Sequence, residues 1–422
     1  TPNIDRLATE GVRFDACNAT YPVCVPYRFT LMTGHYAHTR QVPTIDWRMS
    51  PCERTLADEF NDAGYETVYV GKWHLYGGLG PAKFKKPVPR EFQGHWEKWL
   101  AFEFRNDYFD SVYFEDDDPQ PKPLDGYQTD GLTDLTIDYL TKRRDRSRPW
   151  CCVLSVEAPH PPMEAPKEFE ERWLSRDIEL PPSFLVGEDI QPDGEAREAN
   201  YRRNQIYYAM VDNLDWNVGR LMNALEEAGE LENTIVVLTA DHGEMGGMHC
   251  LHSKQRPYEE SAGVPLVVWG RAAGLSAGTA IGAPGPAEEL FPTLLGLAGL
   301  PPRNDLHGDD LSAPVRGSGD LPDRPGVMLE LVAELRPGQT FFRLPWRAFR
   351  SERYMYSVKG RGQDDGMKPW QFFDLEEDPY ELNNLVDSPA HADVIRQHHQ
   401  WLRDRMEQTG DIEWLAAAHG VP

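Results

Sequence analysis

Three stretches constrain the fold most. ETVYVGKWH (66–74), WCCVLSVEAPH (150–160) and NTIVVLTADHG (233–243) each run for strand length in β-branched and other apolar residues, then stop abruptly in lysine, histidine or aspartate. A segment apolar on both faces belongs to a buried strand, so the three are expected as strands of one sheet. Between the second and third lies NQIYYAMVDNLDWNVGRLMNALEEAG (204–229). There Ile206, Met210, Leu214, Val218, Leu221 and Leu225 keep helical spacing, and Gly229 stops the helix. Strands alternating with helices predict an α/β fold. In open sheets of this kind ligands bind beyond the carboxyl ends of the strands, where Lys72, His74, His160, Asp241 and His242 all fall.

From about Arg324 the texture changes. VMLELV, WRAFRSE, YMYSVKG and WQFFDLEEDP are short runs between Gly, Pro and charged turns, which predict a small antiparallel sheet. Ala390 to Met406 is amphipathic and predicts a helix packed on that sheet, followed by a polar tail. A chain of 422 residues accommodates both units, an α/β domain over 1–322 and an α+β subdomain over 323–422. At the other end, Thr1-Pro2 reads as a cap and first residue of a helix that Gly11 ends.

A formal net charge of -25 repels polyanions at long range, so neither nucleic acid nor an anionic membrane is expected as a partner. Any anion site must be locally basic. No apolar run reaches the length needed to cross a bilayer. The 6 cysteines are too few and too irregularly placed for a disulfide framework, and adjoining Cys151 and Cys152 read as core.

A further feature of interest is YPVCVPYRFTLMTG (21–34). Pro26 suits the first turn of a helix, Phe29, Leu31 and Met32 supply an apolar face, and Gly34 ends it. Free amides at a helix start favour anions and lower a thiol pKa, and Arg28 offers a forked donor to an oxyanion. A buried structural cysteine is the competing reading of this segment alone.

CxPxR followed by TG resembles the signature of the type I sulfatases, in the alkaline phosphatase superfamily. GYETVYVGKWHLYG, APHPP, TADHGEMGGMHCLHSKQRPYEES and FFDLEEDPYELNNL are similar to further motifs of that family, in the family's order, and TPNIDRLATEGVRF to the region before its cysteine. The resemblance implies a large central mixed β-sheet flanked by helices. It also implies that a maturation enzyme oxidises Cys24 to Cα-formylglycine, whose hydrated aldehyde attacks the sulfur of a sulfate ester and later expels sulfate. By the same resemblance Arg28 and Lys72 would hold the diol and neutralise its alkoxide, and His74 would take the proton that lets the diol break down. His160 and Lys254 would grip the sulfuryl oxygens, with His160 or its neighbour protonating the leaving alcohol. Asp241 and His242 would bind a divalent cation, calcium being the expected one. His249 and His252 would border the pocket.

Two departures stand out. Val25 and Tyr27 replace the family's small residues, and their bulk predicts a narrower mouth and slower maturation. Family members also have a buried strand ending in an acidic, metal-binding pair upstream of TPNIDRLA. This sequence starts at that segment, so the recorded chain is expected to lack the strand; the alternative is a degenerate member of the family.

Hydrolysis of small sulfated sugars or aryl sulfates is the leading expectation. A phosphonate monoester or phosphodiester hydrolase of the same superfamily, and an inactive sulfatase-like binding protein, are the alternatives. The aromatic residues Trp96, Trp99, Phe102, Phe104, Tyr108 and Phe109 would form a sugar-stacking wall or part of the core. Lys83, Lys85 and Lys86 would meet a second anionic group or form a solvated face.

Overall fold

The computed structural model describes residues 1–77, 86–187, 194–360 and 368–411. Lys83, Lys85 and the expected tail after Asp411 lie outside the described residues; Lys86 is exposed. In chain order the strands are β1 (Val12–Phe14), β2 (Cys17–Asn18), β3 (Glu66–Lys72), β4 (Lys98–Phe102), β5 (Val112–Glu115), β6 (Lys122–Pro123), β7 (Trp150–Ser155), β8 (Val236–Thr239), β9 (Leu266–Trp269), β10 (Thr279–Ile281), β11 (Gly285–Pro286), β12 (Gly326–Leu331), β13 (Trp346–Ser351), β14 (Tyr354–Lys359) and β15 (Lys368–Asp374). The helices are α1 (Pro2–Glu10), α2 (Cys24–Thr33), α3 (Leu56–Asp62), α4 (Gln128–Asp138), α5 (Lys167–Leu174), α6 (Gly194–Glu227), α7 (Glu259–Ala262), α8 (Leu290–Ala298), α9 (Ser312–Val315) and α10 (Ala392–Thr409). None of the described helices is long and apolar enough to cross a membrane.

The three apolar runs are strands, but they do not share one hydrogen-bonded sheet. The first two, β3 and β7, pair in parallel within the order β6-β5-β4-β3-β7, and the third, β8, pairs with β9 within β10-β1-β9-β8. The sheets are mixed: β3 is parallel to β4 and β7, while β9 is antiparallel to β1 and β8. Every residue of β3 and β9 is buried, whereas every residue of β7 and β8 is only half-buried. Among the described residues β7 pairs on one side only, with β3, and β8 on one side only, with β9. Cys151 and Cys152 are therefore core on one side and accessible on the other.

One apolar layer joins both sheets to the helices on one face: Leu7 of α1, Leu132 of α4 and Met222 and Leu225 of α6 pack with Val68, Val70, Val267 and Trp269. On the other face, Val25 and Phe29 of α2 share a cluster with Trp73, Trp96, Trp99 and with Val327, Leu329 and Trp346 from beyond residue 323. The small antiparallel sheet is present as β12-β13-β14-β15, and α10 covers it with Ile395, Leu402 and Met406 against Met328, Phe349, Tyr356 and Phe372.

The aromatic wall is mostly core. Trp96, Trp99, Phe102, Phe104 and Tyr108 are buried, and only Phe109 stands in solvent. Trp99 stacks on Tyr69 at 5.5 Å and meets Trp73 edge-on at 5.4 Å, so its removal costs folding energy rather than a sugar contact. Val25 and Tyr27 are likewise buried, at 1% and 2% exposure, in two core clusters. Their bulk fills the interior behind α2 and does not line the mouth of a site.

Candidate active site

Cys24 is the first residue of α2, preceded by extended Val23. Pro26 occupies the first turn, and Gly34 closes the helix in the left-handed conformation with its N–H on the Thr30 carbonyl. The whole helix is buried apart from Leu31, so the thiol is presented from a rigid support. Its Sγ lies 3.1 Å from His242 Nε2 and 3.5 Å from Lys254 Nζ.

Three strand ends converge on that sulfur. From β3 come Lys72 and, two residues on, His74, whose backbone N–H continues the parallel pairing by donating to the Glu103 carbonyl at 2.8 Å. From β7 comes His160, in the turn where its N–H bonds the Glu157 carbonyl and its Nδ1 bonds the Pro161 carbonyl at 2.6 Å. From β8 come Asp241 and His242. The β3–β7 approach depends on Gly71, with φ +97°: a Cβ there would stand 2.1 Å from the Ser155 carbonyl oxygen.

Arg28 ties these pieces together. Its guanidinium donates to Asp241 Oδ2 at 3.0 and 3.1 Å, to the Lys72 carbonyl at 2.9 Å and to Ser155 Oγ at 2.7 Å. Lys72 is fully buried, with Glu157 3.9 Å from its Nζ and the Phe104 ring centroid 4.7 Å away. Burial alone would raise the Cys24 thiol pKa, but Lys254, Lys72 and His242 overcome it and hold the thiol well below its ordinary value. The same field acts on its neighbours. Burial pushes His74 down to about 4, and burial with Lys72 and Lys254 does the same to His160. Burial opposes ionisation of Asp241, yet His242 and Arg28 bring it to about 2. The centre is thus a buried anion trap, with cations held in place and the His74 and His160 imidazoles kept neutral.

The seven other candidate catalytic and metal-binding residues therefore gather around the Cys24 sulfur. His249 and His252 do not join them: His249 stacks on Tyr258 at 4.2 Å, and His252 is exposed. Sequence reasoning missed Tyr69, Ser155 and Glu157, and named Phe104 only as one of the wall-or-core aromatics. Ser155 and Glu157 flank a strand end, which is a usable signal; Tyr69 carries none.

Two groups of ligand-type side chains converge among the described residues, Cys24 with Asp241 and His242, and His38 with Glu330 and Asp411, each with donor atoms within 4.8 Å of one another. The second is filled by Arg347, which donates to Asp411 at 2.6 and 3.1 Å and lies 4.0 Å from Glu330. It is an ion-pair network. The first offers one carboxylate and one imidazole, with Asp241 Oδ1 3.5 Å from His242 Nε2 and the Cys24 position beside them. That set fits one side of a divalent cation; a hard ion such as calcium takes about six to eight oxygens, so other groups must complete its shell.

The chain is similar to known proteins over most of its length. The sequence model of the family described as Sulfatase matches residues 1–300. An ulvan-active sulfatase from Formosa agariphila is 31% identical over 97% of this chain and 77% of its own length. An N-acetylglucosamine-6-O-sulfatase from Bacteroides thetaiotaomicron is 27% identical over 97% of this chain and 82% of its own length. The crystal structure of a putative sulfatase, yidJ, from Bacteroides fragilis superposes with a TM-score of 0.86 at 24% identity, covering 100% of this chain and 92% of that one, which establishes the shared fold. On the matching family model and the 31% relative, this chain belongs to the sulfatase family of sulfuric ester hydrolases.

Proposed function

We propose that the chain hydrolyses sulfate monoesters of small carbohydrate or aryl substrates at Cys24. The observation that carries this reading is the meeting of Lys254, Lys72 and His242 on the first residue of a buried helix, a pocket built for an anion. The sugar-directed names of the two relatives favour a carbohydrate. Residues 1–322 carry the machinery in this reading, and Val327, Leu329 and Trp346 of the unit over 323–422 support α2 from behind.

Formylglycine made from Cys24 by a maturation enzyme would supply an oxygen nucleophile in place of the thiol. A divalent cation held by Asp241 and His242 would offset charge on the ester oxygens. Arg28 cannot swing, because Asp241, Lys72 and Ser155 use its donors; it holds the α2 start against the strand ends. Lys72 and Lys254 receive the sulfuryl oxygens, and their fixed charges need no reorganisation when the substrate enters. His74, neutral and buried, is the base for the nucleophile's proton. His160 commits Nδ1–H to the Pro161 carbonyl, which leaves Nε2 to exchange a proton with the leaving alcohol.

The half-buried strands β7 and β8, which end at Ser155 and Thr239 and each pair on one side only among the described residues, support a further strand beside them as the source of the remaining ligands.

The test uses full-length protein in which intact mass establishes conversion of Cys24. Sulfate release is then followed from 4-nitrophenyl sulfate and N-acetylglucosamine 6-sulfate, beside a phosphate diester and a phosphonate monoester. Hydrolysis of a sulfate with the highest kcat/KM is expected. No sulfate release from converted protein, or a phosphonate preferred over every sulfate, overturns the reading.

A further inference from the structure

His74 is held in an unusual way. Its ring is buried, and neither Nδ1 nor Nε2 makes a hydrogen bond of ordinary length among the described residues; the Cys24 thiol is the polar side chain it faces. Histidines that move protons are normally oriented by a hydrogen bond from the other ring nitrogen, to a carboxylate or a carbonyl. Among the described residues the aromatic ring stacked on the imidazole is Phe104, at 4.5 Å between centroids with 15° between planes. The same ring sits 4.7 Å from Lys72 Nζ and meets the edge of His160 at 5.9 Å and 88°. One aromatic ring thus touches three of the side chains that the proposed function uses.

The ring is itself well anchored. Phe104 is 7% exposed and follows Glu103, whose carbonyl takes the His74 N–H and whose carboxylate takes the N–H groups of Tyr76 and Gly77. The backbones of His74 and Phe104 are therefore locked to each other, and His74 has φ +59°, a conformation that its surroundings must impose. With the backbone fixed and neither ring nitrogen tied to a carboxylate or carbonyl, the stacked ring is what restrains rotation of the imidazole about its terminal torsion.

We propose that Phe104 is the positioning residue of this site: its ring face sets the plane of His74, its π-system seats the Lys72 ammonium, and its edge contact places His160. The proposal rests on the proposed function for its kinetic consequences, but not for its structural ones.

The variants are Phe104→Leu, which keeps bulk and removes the ring, and Phe104→Tyr, which keeps the ring. For Phe104→Leu, kcat on the best sulfate ester is expected to fall about tenfold or more with KM changed by less than about threefold, and Phe104→Tyr to restore kcat to within about threefold of wild type. A merely structural role would instead lower the thermal midpoint and the active fraction with kcat per folded molecule unchanged. In labelled wild-type protein the His74 ring protons should resonate upfield of an unstacked histidine, and the shift should vanish in Phe104→Leu. Unshifted His74 protons in wild type, or a Phe104→Leu kcat within about twofold of wild type, overturns the proposal. The resonance measurement stands even if converted protein releases no sulfate, so the two failures are distinguishable.

Discussion

Two buried clusters of charge sit at opposite ends of α2 and its following loop, and they are built on opposite rules. Around Cys24, Lys72, Lys254 and Arg28 are gathered with Asp241 and Glu157, and neither nitrogen of the His74 ring is tied to a carboxylate or carbonyl. Around His38, every partner is matched: His38 Nδ1 lies 2.7 Å from Glu330, its Nε2 3.1 Å from the Thr409 carbonyl, and Arg347 bridges Asp411 and Glu330. Burying an unmatched polar group costs free energy, so a fold tolerates it where a ligand will complete the pattern. The matched cluster ties the chain's far end to the loop after α2. Ligand-type residues alone do not distinguish the two, and each already holds an arginine, Arg28 on Asp241 and Arg347 on Asp411; what separates them is that Lys254 and Lys72 add further positive charge around the Cys24 thiol in the first.

Removing the nucleophile position should separate the clusters most sharply. Cys24→Ala is expected to bring sulfate release to background, a loss of about 1,000-fold or more, while urea unfolding changes little because a small buried side chain is replaced by one slightly smaller. Equal loss of stability and activity would mean that Cys24 is a packing residue.

Arg347→Met reverses the pattern. It leaves Asp411 and Glu330 buried without their cation, for a cost of about 3–5 kcal/mol in urea unfolding, while kcat per folded molecule stays near wild type. A stability change near zero would show that those carboxylates already find other partners.

The smallest effect is one of pH. Burial opposes the charge on His38, but Glu330 raises its pKa above 6.5; burial opposes the charge on Asp411, but Arg347 lowers its pKa below 3.8. His38 therefore contributes stability that is complete below 6.5 and lost as pH rises through its folded value. Asp411 contributes stability that is complete above 3.8 and lost as pH falls through its folded value. The thermal midpoint gap between wild type and His38→Gln should be widest in mildly acidic solution and narrow toward alkaline pH; a gap that widens with pH would contradict the assigned sign.

Strand ends made much of the site legible. Lys72, His74, His160, Asp241 and His242 could be marked because an apolar run that stops in a charged residue has one exit, at the edge of a sheet. Lys254 was marked only through the resemblance, since it sits in a loop with no periodicity. Which strands pair was not legible: β7 and β8 have the same texture, and pairing is a property of the whole sheet. Phe104 was one aromatic among six, and its contact with His74 follows from the β3–β4 register, not from local pattern. His38 and Glu330 lie 292 positions apart, beyond any window of sequence periodicity.

Gly71 carries a consequence for how this protein can change. The space for a side chain there is already taken by the Ser155 carbonyl, and both neighbours of that contact, Lys72 through its carbonyl and Ser155 through its hydroxyl, are acceptors of Arg28. Any methyl group would wedge the two strands apart and pull the guanidinium's anchors out of reach of each other. Position 71 is therefore closed to mutational drift, and a library built on this scaffold would return active clones with glycine alone at that codon.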